Sequence, residues 1–180
     1  MKKEDMVICV HGGHALKGAI GAVGLISESV YDRKITKAVI ERLKEKGYVA
    51  YDCSVDTGSS SDVLRGVKSK SQKYGATHNI SIHMNSFVNN KASGFEICTS
   101  TPKLYEKMCK QIASKLNIPN RGCKKRTDLY VINQLTNCVL LEVGFVTSKS
   151  DVKKIKVLTP EKIGTIIADS YIRNILQASD

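Results

Sequence analysis

Short apolar runs bounded by glycine or polar residues alternate with helix-length amphipathic stretches, and this alternation restricts the fold more than any other feature. Met6–Val10 reads as a strand. After a glycine-rich loop, Ser29 can cap a helix over Val30–Lys46, where Tyr31, Ile35, Ala38, Val39 and Leu43 share a face and Gly47 offers the stop. Tyr48–Cys53 is a second strand. The polar loop Asp56–Ser61 leads to a helix near Asp62–Tyr74, with Val63, Val67 and Tyr74 inward. In His78–Met84 the parity is strict: Ile80, Ile82 and Met84 lie on one face, Asn79, Ser81 and His83 on the other. Gly94–Ser100 is a further strand, and Thr101-Pro102 starts a helix striped by Leu104, Met108, Ile112 and Leu116. Asn117–Asp128 is expected as a basic loop, with strands at Leu129–Asn133 and Val139–Phe145. Ser148 with Asp151 can start a short helix. Thr159-Pro160 opens the last one, which runs through Ile163, Ile166, Ile167 and Tyr171 toward Leu176.

Such an order predicts an α/β fold with a largely parallel sheet flanked by helices, whose sites collect at the carboxyl ends of the strands. A chain of 180 residues is expected to form one domain spanning positions 1–180. It contains no apolar stretch near the ~20 residues of a membrane span. Met1-Lys2-Lys3 is followed by Glu4 and Asp5, and the apolar run at Met6–Val10 is too short for a signal peptide, so synthesis in the cytoplasm is expected. The six cysteines form no C-x-x-C pair and are read as free thiols. A net charge of +11 favours anionic partners, either nucleic acid or an anionic cell-wall polymer, and charge alone does not separate them.

The chemistry-bearing candidates are His14, Glu28, His83 and Glu142, each at or near an element end. Two imidazoles and a carboxylate match a catalytic zinc site with one position open, and a second carboxylate is the general base such a site needs. His83 points away from its strand's apolar row. Glu142 sits among Leu140, Leu141, Val143 and Phe145, where an ionised carboxylate is costly without a partner. Plainer roles stay open at this point: Glu28 as an acid at a helix N-terminus, Glu142 as the partner of a buried cation. His78 lies at a strand entry and reads as structural. His11 and His14 flank Gly12-Gly13, so they belong to a turn and not to a helical pair. The run Gly18-Ala19-Ile20-Gly21-Ala22-Val23-Gly24 lacks the lysine of a phosphate-binding loop.

Gly13-His14, Glu28, Ser81-Ile82-His83-Met84-Asn85-Ser86 and Leu140-Leu141-Glu142-Val143-Gly144-Phe145-Val146-Thr147, with Arg121-Gly122 ahead of Leu129-Tyr130-Val131, occur in an order that spans nearly the whole chain. In these segments the chain resembles the zinc-dependent N-acetylmuramoyl-L-alanine amidases of phage endolysins and bacterial autolysins. The resemblance implies a twisted sheet of about six strands, Zn2+ held by His14, Glu28 and His83, and Glu142 as catalytic acid/base. It implies hydrolysis of the amide between N-acetylmuramic acid and the L-alanine of the stem peptide. The implied partners are bacterial peptidoglycan and anionic wall polymers, with no nucleic acid expected, and the implied setting is a phage or prophage endolysin acting on the wall after release. A sporulation or autolytic amidase is the alternative within the family. Outside it stand a metallopeptidase and a non-enzymatic basic module binding wall polymer or nucleic acid. The chain departs from the family pattern at His11, where Asp is common, at Ala15, where Gly is common, and at Thr136-Asn137-Cys138, where many members have Pro.

Overall fold

The strongest local signal, the β-branched runs at Val7–Gly12 (β1), His78–Asn85 (β5) and Cys138–Phe145 (β8), forms the centre of the sheet. The computed structural model describes residues 2–88 and 91–177. Val49–Asp52 (β3), Phe95–Thr99 (β6) and Asn120–Lys125 (β7) complete a six-stranded sheet in the order β3-β1-β5-β8-β6-β7. Within this sheet, among the described residues, only the β6–β8 pairing is antiparallel. Two short strands, Lys17–Gly18 (β2) and Thr57–Gly58 (β4), pair beside the first loop.

The helices are Glu28–Glu45 (α1), Ser60–Lys73 (α2), Pro102–Leu116 (α3), Tyr130–Gln134 (α4) and Lys149–Tyr171 (α5). Ser59 and Asp62 satisfy each other's free backbone N–H groups at the start of α2 in a capping box. Ser148 accepts from Asp151 N at the start of α5, and Thr159, at φ 62° ahead of Pro160, breaks that helix into the two segments expected from sequence. One face of the sheet packs Ile80, Ile82, Met84, Val139 and Leu141 against α1, α3 and α5. The opposite face carries a smaller cluster of Val63, Val67, Val131, Leu140 and Cys138, from the sheet, α2 and α4. The parity read for β5 holds: its isoleucines enter the large core, and Asn79, Ser81 and His83 face the other way. All six cysteines are free, five of them buried. Among the described residues no helix is long and apolar enough to cross a membrane.

Two expectations are corrected. Leu129–Asn133 is not a strand; Tyr130–Gln134 is helical, burying Val131 and Ile132 against the α2 cluster. A five-residue apolar run is too short for periodicity to separate helix from strand. The expected basic loop Asn117–Asp128 contains edge strand β7, whose side chains are half-buried or exposed. Lacking a buried face, it needs no apolar alternation, and its lysines suit an edge. In addition, α1 starts earlier than expected: Ser27 holds the cap position and Glu28 is its first residue.

Candidate metal centre

Strand and helix ends bring His14, Glu28 and His83 to one point. His14 follows β1, Glu28 opens α1, and His83 lies near the end of β5. One ligand atom from each lies within 4.8 Å of the others. Glu28 Oε1 is 3.4 Å from His14 Nε2 and 3.1 Å from His83 Nδ1. The carboxylate is oriented from behind, because Met84 N donates to Oε1 at 3.0 Å and Ala22 N to Oε2 at 2.7 Å. The imidazoles meet edge to face at 84°, with centroids 5.0 Å apart.

Two glycines permit this approach. A Cβ on Gly13 would lie 1.8 Å from the His83 ring. Gly21 adopts φ 71°, and a Cβ there would lie 2.5 Å from Glu28 Oε2 and 2.6 Å from His14. Two ring nitrogens and one carboxylate oxygen, with water able to reach the half-buried imidazoles, form a donor set that suits zinc with an open fourth position.

Glu142 stands beside this triad, the register partner of His83 on β8. Its Oε2 is enclosed and has no hydrogen-bond partner among the described residues. Burial raises its pKa to about 7; the imidazole of His83 pulls the other way, and the charges of Glu28 and Glu96 add to the rise. Its neighbour Glu96 has a cationic partner of its own, with Arg121 Nε 2.7 Å from Glu96 Oε2. Burial would also raise the Glu28 pKa, but the His83 bond and the nearby imidazoles outweigh it and the net shift is downward. His83 is opposed by burial, yet its bond to Glu28 and the charges of Glu142 and Glu28 give it a raised pKa. The pKa of His14 is lowered, chiefly by burial.

Of the other histidines, His78 lies at the far end of β5, where its ring meets Tyr171 edge-on, as expected for a structural residue. His11 is buried one row below the centre, with neither ring nitrogen hydrogen-bonded among the described residues. Sequence reasoning missed three supporting residues. Arg33 Nη2 donates to His14 O and Val55 O, each at 2.7 Å, and pins the first loop. Asp32 is fully buried, and burial followed by the charges of Glu28 and Glu142 raises its pKa well above normal. Glu96 is the register neighbour of Glu142. An acid near the start of a helix, as Asp32 is, has an ordinary role in the macrodipole, and nothing local marks Arg33 or Glu96.

A family model described as N-acetylmuramoyl-L-alanine amidase matches residues 6–173. A Clostridium perfringens protein described as an uncharacterized 38.4 kDa protein is 32% identical over 179 residues, covering 94% of this chain and 52% of that one. The chain spans about half the length of the curated relatives it matches. Among solved structures, the catalytic domain of the CD27L endolysin targeting Clostridia difficile superposes with a TM-score of 0.83 at 22% identity, covering 94% of this chain and 98% of that one. Cwp6 from Clostridium difficile superposes with a TM-score of 0.81 at 25% identity, covering 94% of this chain and 29% of the other.

Proposed function

This chain belongs to the N-acetylmuramoyl-L-alanine amidase family, and from that premise we propose that residues 1–180 form a single zinc-dependent catalytic domain that hydrolyses the amide joining N-acetylmuramic acid to the L-alanine of the peptidoglycan stem peptide. The observation that carries this reading is the meeting of His14, Glu28 and His83 with Glu142 in register beside them.

His14, Glu28 and His83 would hold the ion. When bound, zinc supplies a Lewis acid that polarises the scissile carbonyl and acidifies water. The protein's part is orientation and proton movement. Backbone N–H groups of Met84 and Ala22 fix the Glu28 carboxylate, leaving the imidazoles to set the position of the site. Glu142 Oε2, free of other bonds, takes a proton from the attacking water and returns one to the departing alanine nitrogen. In the metal-free protein burial raises the pKa of this carboxyl to about 7.

We assign the physiological role to a phage or prophage endolysin, with an autolytic or sporulation amidase as the alternative. The +11 charge supports attraction to anionic wall polymers. Zinc stoichiometry, measured with chelator-sensitive release of L-alanine amino termini from purified walls, tests the reaction. One zinc per chain and free alanine termini beside a muramic lactyl carboxylate are expected. Release of internal peptide termini instead would identify a peptidase. His83→Ala should abolish stoichiometric zinc; full retention by elemental analysis removes His83 from the ligand set.

A further inference from the structure

A cavity of about 210 Å³ opens on the α2–α4 face of the sheet, with His14 and His83 of the metal centre on its wall. Val63, Leu64, Val67, Val131 and Leu140 line it, together with His11 and Ser81 from adjacent strands. His11 and Ser81 are register partners, both buried, and neither His11 ring nitrogen nor Ser81 Oγ has a hydrogen-bond partner among the described residues. Two uncompensated polar side chains in one apolar recess are costly unless something bonds them. No Lys, Arg, Asp or Glu of the described residues lines the recess, and burial, reinforced by His83 and Arg33, lowers the His11 pKa to about 3, so the imidazole is neutral. A neutral imidazole offers one donor and one acceptor, and a hydroxyl offers both. The occupant is therefore uncharged, mostly apolar, and hydrogen-bonds through both a donor and an acceptor.

Position narrows the choice. Ser81 precedes His83 by two residues on the same strand, a step of roughly 6.6 Å at ~3.3 Å per residue. In N-acetylmuramoyl-L-alanine the acetamido carbonyl is six bonds from the scissile carbonyl, which spans that step. The alanine methyl is too close to the scissile bond to reach it, and the remaining peptide is a continuing chain carrying carboxylates. The acetamido group ends in a methyl, as a recess backed by buried Val67 and Leu140 requires.

We propose that this cavity is the subsite for the 2-acetamido group of the muramoyl residue, with Ser81 and His11 bonding its carbonyl and N–H and its methyl against Val67 and Leu140. The subsite rests on the amidase reading above. It also gives a role to His11, because a neutral histidine can donate a hydrogen bond to a carbonyl.

The test compares kcat/KM for a synthetic disaccharide–pentapeptide with that for its analogue bearing a hydroxyl in place of the muramoyl acetamido group. The zinc-loaded wild type should prefer the acetamido substrate by about 10–100-fold, the range for leaving buried polar groups unpaired. Ser81→Ala, and separately Leu64→Phe, which fills the recess from α2, should bring that ratio toward one. A general structural defect would lower both rates and keep the ratio. Equal hydrolysis of the two substrates by the wild type, or an unchanged ratio in both variants, overturns the subsite and leaves the amidase reading standing. Hydrolysis of neither compound by the wild type refutes the amidase reading itself.

Discussion

Replacing Glu142 with glutamine should separate stability from turnover, because the burial that readies this carboxyl for proton transfer also penalises its charge. In the metal-free protein its pKa rises from 4.5 to about 7; burial leads, and Glu28 and Glu96 add to it against His83 and Arg126. Between those values the folded state binds more protons than the unfolded state. The contribution of Glu142 to wild-type stability therefore falls as pH rises from 4.5 to about 7 and stays depressed above it. The full shift corresponds to about 3 kcal/mol, which solvent screening at the exposed edge of the half-buried side chain reduces to about 1–2 kcal/mol. Glutamine keeps the shape without the charge. The metal-free variant should be more stable than wild type by that smaller amount at pH 8 and nearly equal to it at pH 4.5, as measured by urea denaturation after chelation. The same variant, loaded with zinc, should retain the metal and lose about 10²–10⁴-fold in amide hydrolysis. Wild-type turnover in Glu142→Gln refutes the proton-transfer role. A stability difference that is the same at pH 4.5 and pH 8 refutes burial of the charge as its source.

Further outcomes follow from the same geometry. Gly21→Ala should weaken zinc binding by at least about tenfold in chelator competition, since left-handed strain of ~1–2 kcal/mol adds to a Cβ 2.5 Å from Glu28 Oε2. Asp151 is fully buried and accepts from Gly94 N at 2.9 Å and Phe145 N at 3.0 Å, holding β6 to the end of β8. Asp151→Ala should cost about 3 kcal/mol in urea denaturation, because two buried donors lose their partner. His11, whose pKa is lowered to about 3, stays neutral when folded while the unfolded chain protonates below about pH 6.5. The stability of metal-free wild type relative to His11→Leu should therefore fall as pH drops from about 6.5 toward 3, with a slope of ~1.4 kcal/mol per pH unit in that difference.

Much of the centre was legible because strands impose a strict two-residue period. Parity alone turned His83 away from the core, and an acid inside Val139–Phe145 marked Glu142 as unusual. Glu28 was the least legible of the four, since an acid at a helix start has an ordinary role in the macrodipole, and only its order among the other motifs singled it out. Edge strand β7 was missed because a strand with no buried face carries no apolar alternation. Helix α4 was missed because five residues hold little more than one turn of periodic signal.

The sequence by itself determined the alternating α/β order and the core faces of the central strands, and by parity and surroundings marked His83 and Glu142. Those properties are local: they depend on side-chain spacing along a chain of known pitch. The tertiary structure alone decided that Arg121 pairs with Glu96, that Arg33 pins the His14 loop, and that His11 and Ser81 share a recess without partners among the described residues. Each of these depends on the distance between residues remote in sequence and on the loss of water around them, and no spacing along the chain encodes either quantity.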